Sequence, residues 1–250
     1  MNIFYINLDK SVERKNYMEQ QASKKGLDIN RISGIYGLDL LNQKYREKVS
    51  NILNINERYL QTNWLLSRSN FKTMSCDINY ILPRFGLYLS TIKLLQQAKA
   101  SGFNNCVVLE DDSIILDEIV VPNIENADII YLGATFQGER YSNEKIIKVH
   151  PDKIKLYGTF AYYVNDIDSM LKVLLAPFQD GKAYDKNPGW RSGTIKLRCQ
   201  NIDSFLKNYY QKYGDCYFLN PAIVEHPVEN ISTINKKQYN YGKNNLRFKY

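Results

Sequence analysis

Three consecutive acids, Glu110-Asp111-Asp112, follow directly on the apolar run Cys106-Val107-Val108-Leu109. Carboxylates crowded in this way repel one another and cannot belong to a core, yet the run before them has the make-up of a buried strand. In an open α/β sheet, ligands gather at the carboxyl ends of the strands. An acidic patch at that point suits a hard divalent cation, Mg²⁺ or Mn²⁺, which prefers oxygen ligands and commonly shares them with a substrate phosphate. Alternation near a strand end would put Glu110 and Asp112 on one side and turn Asp111 away. Taken alone, such a triplet is more often a solvated turn. The chain holds two histidines, which excludes His-rich metal sites and HExxH proteases. His226 follows a strand in Val224-Glu225-His226-Pro227, whereas His150, beside Pro151, reads as a loop residue.

The elements that must position these groups alternate. Asn2-Ile3-Phe4-Tyr5-Ile6-Asn7-Leu8 reads as a buried first strand, after which Asp9 or Ser11 offers an N-cap for a helix that Gly26 closes. A second strand is expected over Ile29 to Ile35. Strand, helix, strand is the unit of a parallel sheet with helices on its faces. Residues 40–80 look helical from Leu41 to Leu53 and then irregular, and are expected to form an insertion or lid. From Gly86, apolar residues at helical spacing give about four turns up to Gly102 and lead into the acidic strand. Strands are expected over Asp128 to Leu132 and Gly158 to Val164, helices over Ile167 to Leu175 and Ile202 to Tyr213, and a last strand over Cys216 to Val224. The expected fold is therefore α/β, in one domain over 1–235.

Composition narrows the classes further. Of 250 residues, 44% are hydrophobic and 24% charged, an ordinary globular balance. No apolar run approaches the roughly 20 residues that span a bilayer, and the start MNIFYINLDK has no secretory pattern, so a cytoplasmic location is expected. The four cysteines form no CxxC pair. Much of the +7 net charge lies in the tail 236–250, in Lys236, Lys237, Lys243, Arg247 and Lys249 among tyrosines. Such a tail suits peripheral contact with an anionic membrane, or simply a solvated end packed through its aromatics. The remaining body is close to neutral, so nucleic acid is not expected as a partner. The chain also lacks GxGxxG, GxxxxGK[ST] and GxSxG.

Four segments, in order, resemble glycosyltransferase family 25, which includes lipooligosaccharide and collagen galactosyltransferases. They are Ile6-Asn7-Leu8-Asp9-Lys10-Ser11-Val12-Glu13-Arg14 with Arg31-Ile32 and Gly37; Gly86-Leu87-Tyr88-Leu89-Ser90 with Leu109-Glu110-Asp111-Asp112; Gly158-Thr159-Phe160-Ala161-Tyr162; and Asn220-Pro221-Ala222-Ile223-Val224 with Ser232. Thr91 stands where the family commonly has His, and 177–200 carries an apparent insertion.

The resemblance implies a GT-A, Rossmann-like fold with a mixed, mostly parallel sheet. It implies a UDP-sugar donor, a glycan or glycolipid acceptor, and Mn²⁺ or Mg²⁺ held by Glu110 and Asp112 with His226 completing the shell. Asn7 and Asp9 would then read uracil and ribose, with Arg14, Ser90, Lys93 and Asp111 also on the donor side. Asp203, before a helix, best matches the family's late acid and would act as base; Asp185 is the second candidate. The expected reaction is inverting transfer of galactose or glucose. The rival expectation, from another class, is a catalytically idle domain that only binds a glycan or a protein.

Overall fold

The computed structural model describes residues 1–58, 60, 78–138, 144–150, 154–178 and 201–226. Asp185, Ser232 and the tail 236–250 lie outside the described residues.

The elements are β1 (Ile3–Asn7), α1 (Val12–Lys24), β2 (Ile29–Ser33), a 3₁₀ turn (Gly37–Leu41), α2 (Gln43–Leu53), α3 (Ile78–Ala100), β3 (Cys106–Glu110), β4 (Ile114–Ile115), β5 (Ile129–Gly138), β6 (Ile146–Lys148), β7 (Ile154–Val164) and α4 (Ile167–Leu175). A helical segment over 202–213 and strands β8 (Cys216–Leu219) and β9 (Val224–Glu225) complete them. Seven strands form one sheet in the order β2-β1-β3-β7-β5-β8-β6, while β4 and β9 pair separately. In the large sheet β2, β1, β3, β5 and β8 run one way and β7 and β6 run against them. The sheet is thus mixed and mostly parallel, as the strand–helix alternation and the resemblance lead one to expect.

Both faces of the sheet are covered, which is why its strands are apolar on both sides. Phe4, Ile6, Cys106, Val108, Tyr131 and Tyr162 point to one face and pack under α3, α4 and the 202–213 segment. Ile3, Tyr5, Val107, Leu109 and Ala161 point to the other, where Met18 of α1 and Val224 of β9 cover them. Leu40, Val49, Leu53, Ile55 and Leu60 are buried in the α3-side core. In the described part of 40–80, expected as an insertion or lid, these residues pack into the core, Val49 and Leu53 from one face of α2. The rest of the stretch lies outside the described residues.

One junction accounts for three of the sequence landmarks. The 3₁₀ turn rides directly on α3. A Cβ on Gly37 would lie 1.7 Å from the Leu82 carbonyl oxygen, and one on Gly86 would lie 2.5 Å from that of Ile35. Only hydrogen fits at either position. One turn further along α3, the buried Ser90 hydroxyl accepts from the Ile35 amide and donates to the Gly86 carbonyl, both at 2.7 Å. Gly37, Gly86 and Ser90 therefore fix how the β2 exit crosses α3, and so where the ends of β1 and β2 stand.

Candidate functional site

The register of three parallel strands brings the site together. Asn7 closes β1 opposite Ser33, and Ile6 pairs with Glu110, so the carboxyl ends of β1, β2 and β3 lie side by side. Glu110 continues the face of Cys106 and Val108, the α3 side. After it the chain leaves the strand in a turn, and alternation no longer governs where side chains point. Asp111 and Asp112 both turn toward α1, where a single guanidinium nitrogen of Arg14 donates to Asp111 Oδ1 at 2.9 Å and to Asp112 Oδ2 at 3.0 Å. The expectation that Glu110 and Asp112 share a side while Asp111 turns away is thus reversed. Strand geometry ends at Glu110, one residue too early for it.

Asn7, almost wholly buried, holds the group from below. Its Nδ2 donates to Asp111 Oδ2 at 2.7 Å and to the Ser11 carbonyl at 3.1 Å, and its Oδ1 accepts from Arg31 Nε at 2.9 Å. Arg31 also reaches Asp9 Oδ1 at 2.5 Å, and Ser33 donates to Asp9 Oδ2 at 2.8 Å. The hydrogen bond from Arg31, then that from Ser33, lowers the Asp9 pKa. Lys93 of α3 donates to the Ser33 carbonyl at 2.7 Å, and burial lowers its pKa while Asp9 opposes the shift. Two arginine–carboxylate groups, linked through Asn7, therefore line the ends of β1, β2 and β3.

His226 arrives from the far end of the chain. In the small sheet Ile114 faces Glu225 and Ile115 faces Val224, which sets the next residue, His226, against Asp112. Its Nε2 lies 3.4 Å from Asp112 Oδ2, and its ring meets Phe160 edge-on with centroids 5.7 Å apart. A Cβ on Gly133 would lie 2.1 Å from the Val224 carbonyl oxygen, so the strand that delivers His226 needs a glycine beneath it. Gln21 of α1 fixes the other half of the small sheet, donating to the Ser113 carbonyl and accepting from the Ile115 amide, both at 3.0 Å.

The pKa values of the two aspartates shift in opposite directions. Burial, then the Asp112 charge, raises the Asp111 pKa. Burial also opposes ionisation of Asp112, but the hydrogen bond and charge of His226, with Arg14, hold its pKa below the ordinary value. Asp112 Oδ1 is buried with no hydrogen-bond partner among the described residues, the kind of atom that a native structure explains by a ligand or water.

Glu110 and Asp203 belong to the other face. Burial above all raises the pKa of the buried Tyr162 hydroxyl, and the charges of Glu110 and Asp203 add to it. Asn201, not Asp203, caps the helix over Ile202–Phe205, accepting from the Ser204 amide at 2.7 Å, so capping does not account for Asp203. A π-helical turn over Leu206–Tyr210 interrupts the helix expected over 202–213.

Several sequence expectations are thereby sorted. Asn7, Arg14, Asp111, Asp112 and His226 form one cluster, with Asp9 and Lys93 at its edge. Glu110, Asp112 and His226 do not converge as a three-ligand set; among the described residues no three of His, Cys, Asp and Glu do. Glu110 leaves the set for the geometric reason given above. Ser90 leaves the donor side, since its hydroxyl is taken up by main-chain partners. Asp185 lies outside the described residues. Sequence reasoning missed Arg31 and Gln21 as site-forming residues. The signal for Arg31 was a long charged side chain within a predicted parallel strand, where a partly buried charge requires a partner.

No curated protein matches the chain significantly. Among solved structures it is similar to a glycosyltransferase involved in the glycosylation of the major capsid of PBCV-1, at 11% identity over 90% of this chain and 91% of that one, with a TM-score of 0.42. It is also similar to a nucleoside-diphosphate-sugar pyrophosphorylase from Vibrio cholerae RC9, at 12% identity over 88% and 72% of the two chains, with a TM-score of 0.38. Both scores are too low to carry an assignment. The family model described as glycosyltransferase family 25 (LPS biosynthesis protein) matches residues 1–170, a stretch that contains β1, Arg14, the Gly86–Ser90 junction, the acidic turn and Tyr162. The protein belongs to glycosyltransferase family 25.

Proposed function

We propose that the protein transfers a hexose, galactose or glucose, from a UDP-sugar to a hydroxyl of a glycan or glycolipid, with a divalent metal and with inversion. The observation that carries this reading is the buried Asp112 Oδ1, unpartnered among the described residues and lying in a turn at the carboxyl end of β3 with His226 beside it. Asp112 and His226 fit Mn²⁺ or Mg²⁺ shared with a diphosphate, because such ions take one or two protein ligands and fill the remainder with substrate oxygens and water. When bound, the metal would supply Lewis-acid stabilisation of the charge developing on the departing UDP.

The chain's own residues supply the rest. Asp9 and Arg31 offer an acceptor and donors for the nucleoside at the β1–β2 edge, and Asn7 holds both acidic pairs in register. Arg14 is the cation nearest the acidic turn and suits a phosphate oxygen. Asp203, whose carboxylate is not used as a helix cap, is the residue assigned to take the proton of the acceptor hydroxyl. Among the described residues no helix is long and apolar enough to cross a membrane, and contact with anionic lipid through 236–250 is proposed for the glycolipid case.

The test is thermal-shift screening with UDP, UDP-galactose, UDP-glucose and UDP-GlcNAc, with and without Mn²⁺. A ligand present at 100 times its Kd adds about 2.7 kcal/mol to stability. Stabilisation by one UDP-sugar that depends on Mn²⁺ is expected. Equal shifts without metal would contradict the metal dependence, and no shift with any donor would favour a binding domain without activity.

A further inference from the structure

We infer that Arg14 is a resident counter-cation of the acidic turn that exchanges Asp112 for phosphate oxygens when a diphosphate binds, coupling metal binding to nucleotide binding. This rests on the metal reading of Asp112 given above.

The geometry is specific. One nitrogen of Arg14 bridges Asp111 Oδ1 and Asp112 Oδ2 at 2.9 and 3.0 Å, and the three side chains are 21%, 13% and 11% exposed. A single cation between two carboxylates this close and this dry offsets their mutual repulsion. Arg14 supplies it from the first turn of α1, with Asn7 fixing the far oxygen of Asp111. The same placement puts a permanent positive charge beside Asp112, the residue assigned to the metal. A divalent cation arriving alone meets a turn already neutralised in part by Arg14 and is repelled by it. A diphosphate changes the balance, because the guanidinium then has phosphate oxygens to bind in place of Asp112. Metal and nucleotide should each strengthen the other, and by the same factor, since binding couplings are reciprocal.

The experiment is calorimetric titration of Mn²⁺ into the full chain, with and without UDP, for the wild type and for Arg14→Gln, Arg14→Lys and Asp112→Asn. The wild type is expected to bind Mn²⁺ weakly alone and about 50-fold more tightly with UDP. Arg14→Gln should bind Mn²⁺ alone about tenfold more tightly than the wild type, and its gain from UDP should shrink by about tenfold. Arg14→Lys keeps the charge and should resemble the wild type. Unchanged Mn²⁺ affinity and unchanged coupling in Arg14→Gln would overturn the inference, as would an Arg14→Lys protein that behaves like Arg14→Gln. Should Arg14→Gln fail to fold, independent binding of Mn²⁺ and UDP to the wild type would overturn it by itself. Asp112→Asn separates the two levels: loss of Mn²⁺ binding there, with Arg14→Gln unchanged, rejects the role of Arg14 alone. Mn²⁺ binding that survives Asp112→Asn rejects the metal reading and this inference with it.

Discussion

Two arginine–aspartate pairs stand at neighbouring strand ends, tied together by one asparagine, and they differ mainly in burial. Asp9, paired with Arg31, is 73% exposed, whereas Asp112, paired with Arg14, is 11% exposed. Water screens the first pair and solvates either partner if the other is lost, so its net worth is small. The second has no such refuge, and removing one member leaves an uncompensated charge in a dry place. One chemical motif can therefore be a soft, solvated edge at β1–β2 and a rigid, interdependent centre one strand away.

The comparison can be broken in four places. The largest effect is expected from Asp112→Asn, which should lower metal-dependent turnover by about 10³-fold. Its circular dichroism spectrum should remain native, because Arg14 keeps Asp111 as its partner and the amide keeps the shape; full activity would remove Asp112 from the chemistry. Next comes Asn7→Ala, which strips hydrogen bonds from both Asp111 and Arg31 and should cost about 2 kcal/mol in urea unfolding. If its effect is confined to donor affinity with no loss of stability, the link between the pairs is not structural. Ser90→Ala should cost about 1 kcal/mol, by orphaning the buried Ile35 amide, and leave UDP affinity unchanged. A change in UDP affinity at native stability would return Ser90 to the donor side. The smallest effect belongs to Asp9→Asn.

For Asp9 the sign follows from its lowered pKa. A carboxylate held below its ordinary value of 3.8 stabilises the fold above that value and loses the contribution as pH falls through the lowered one. Because Asp9 is exposed, this acid-limb difference between Asp9→Asn and the wild type should stay under about 1 kcal/mol in thermal midpoints measured from pH 2 to 6. A larger difference would mean that the edge pair holds the fold as firmly as the buried one.

Much of this was legible in the sequence because it depends on local pattern. The helix over Ile167–Leu175 matches its expected bounds, and Gly26 and Gly102 end their helices with φ of +63° and +84°. The acidic turn and its strand were equally plain, since an apolar run broken by three acids has few other readings. What was hidden was long-range. Nothing near residue 226 announces that β9 pairs with β4, yet that pairing alone carries His226 to Asp112. The last strand, expected to run unbroken from Cys216 to Val224, divides at Asn220–Pro221, and only its second part turns to the small sheet. The orientation of Asp111 and Asp112 departs from expectation for a local reason, because alternation does not extend past the end of β3. Arg14 is expected on the donor side from the resemblance, and only the fold shows which acids it faces.

The central claim is that Asp112 and His226 hold a divalent metal against the donor's diphosphate. Anomalous diffraction at the manganese edge, from crystals soaked with Mn²⁺ and UDP, tests it most directly. A single peak within bonding distance of Asp112 Oδ1 and His226, with phosphate oxygens on its open side, is the predicted result. Manganese bound elsewhere, or UDP bound at the β1–β2 edge with only water and Arg14 at Asp112, would contradict it.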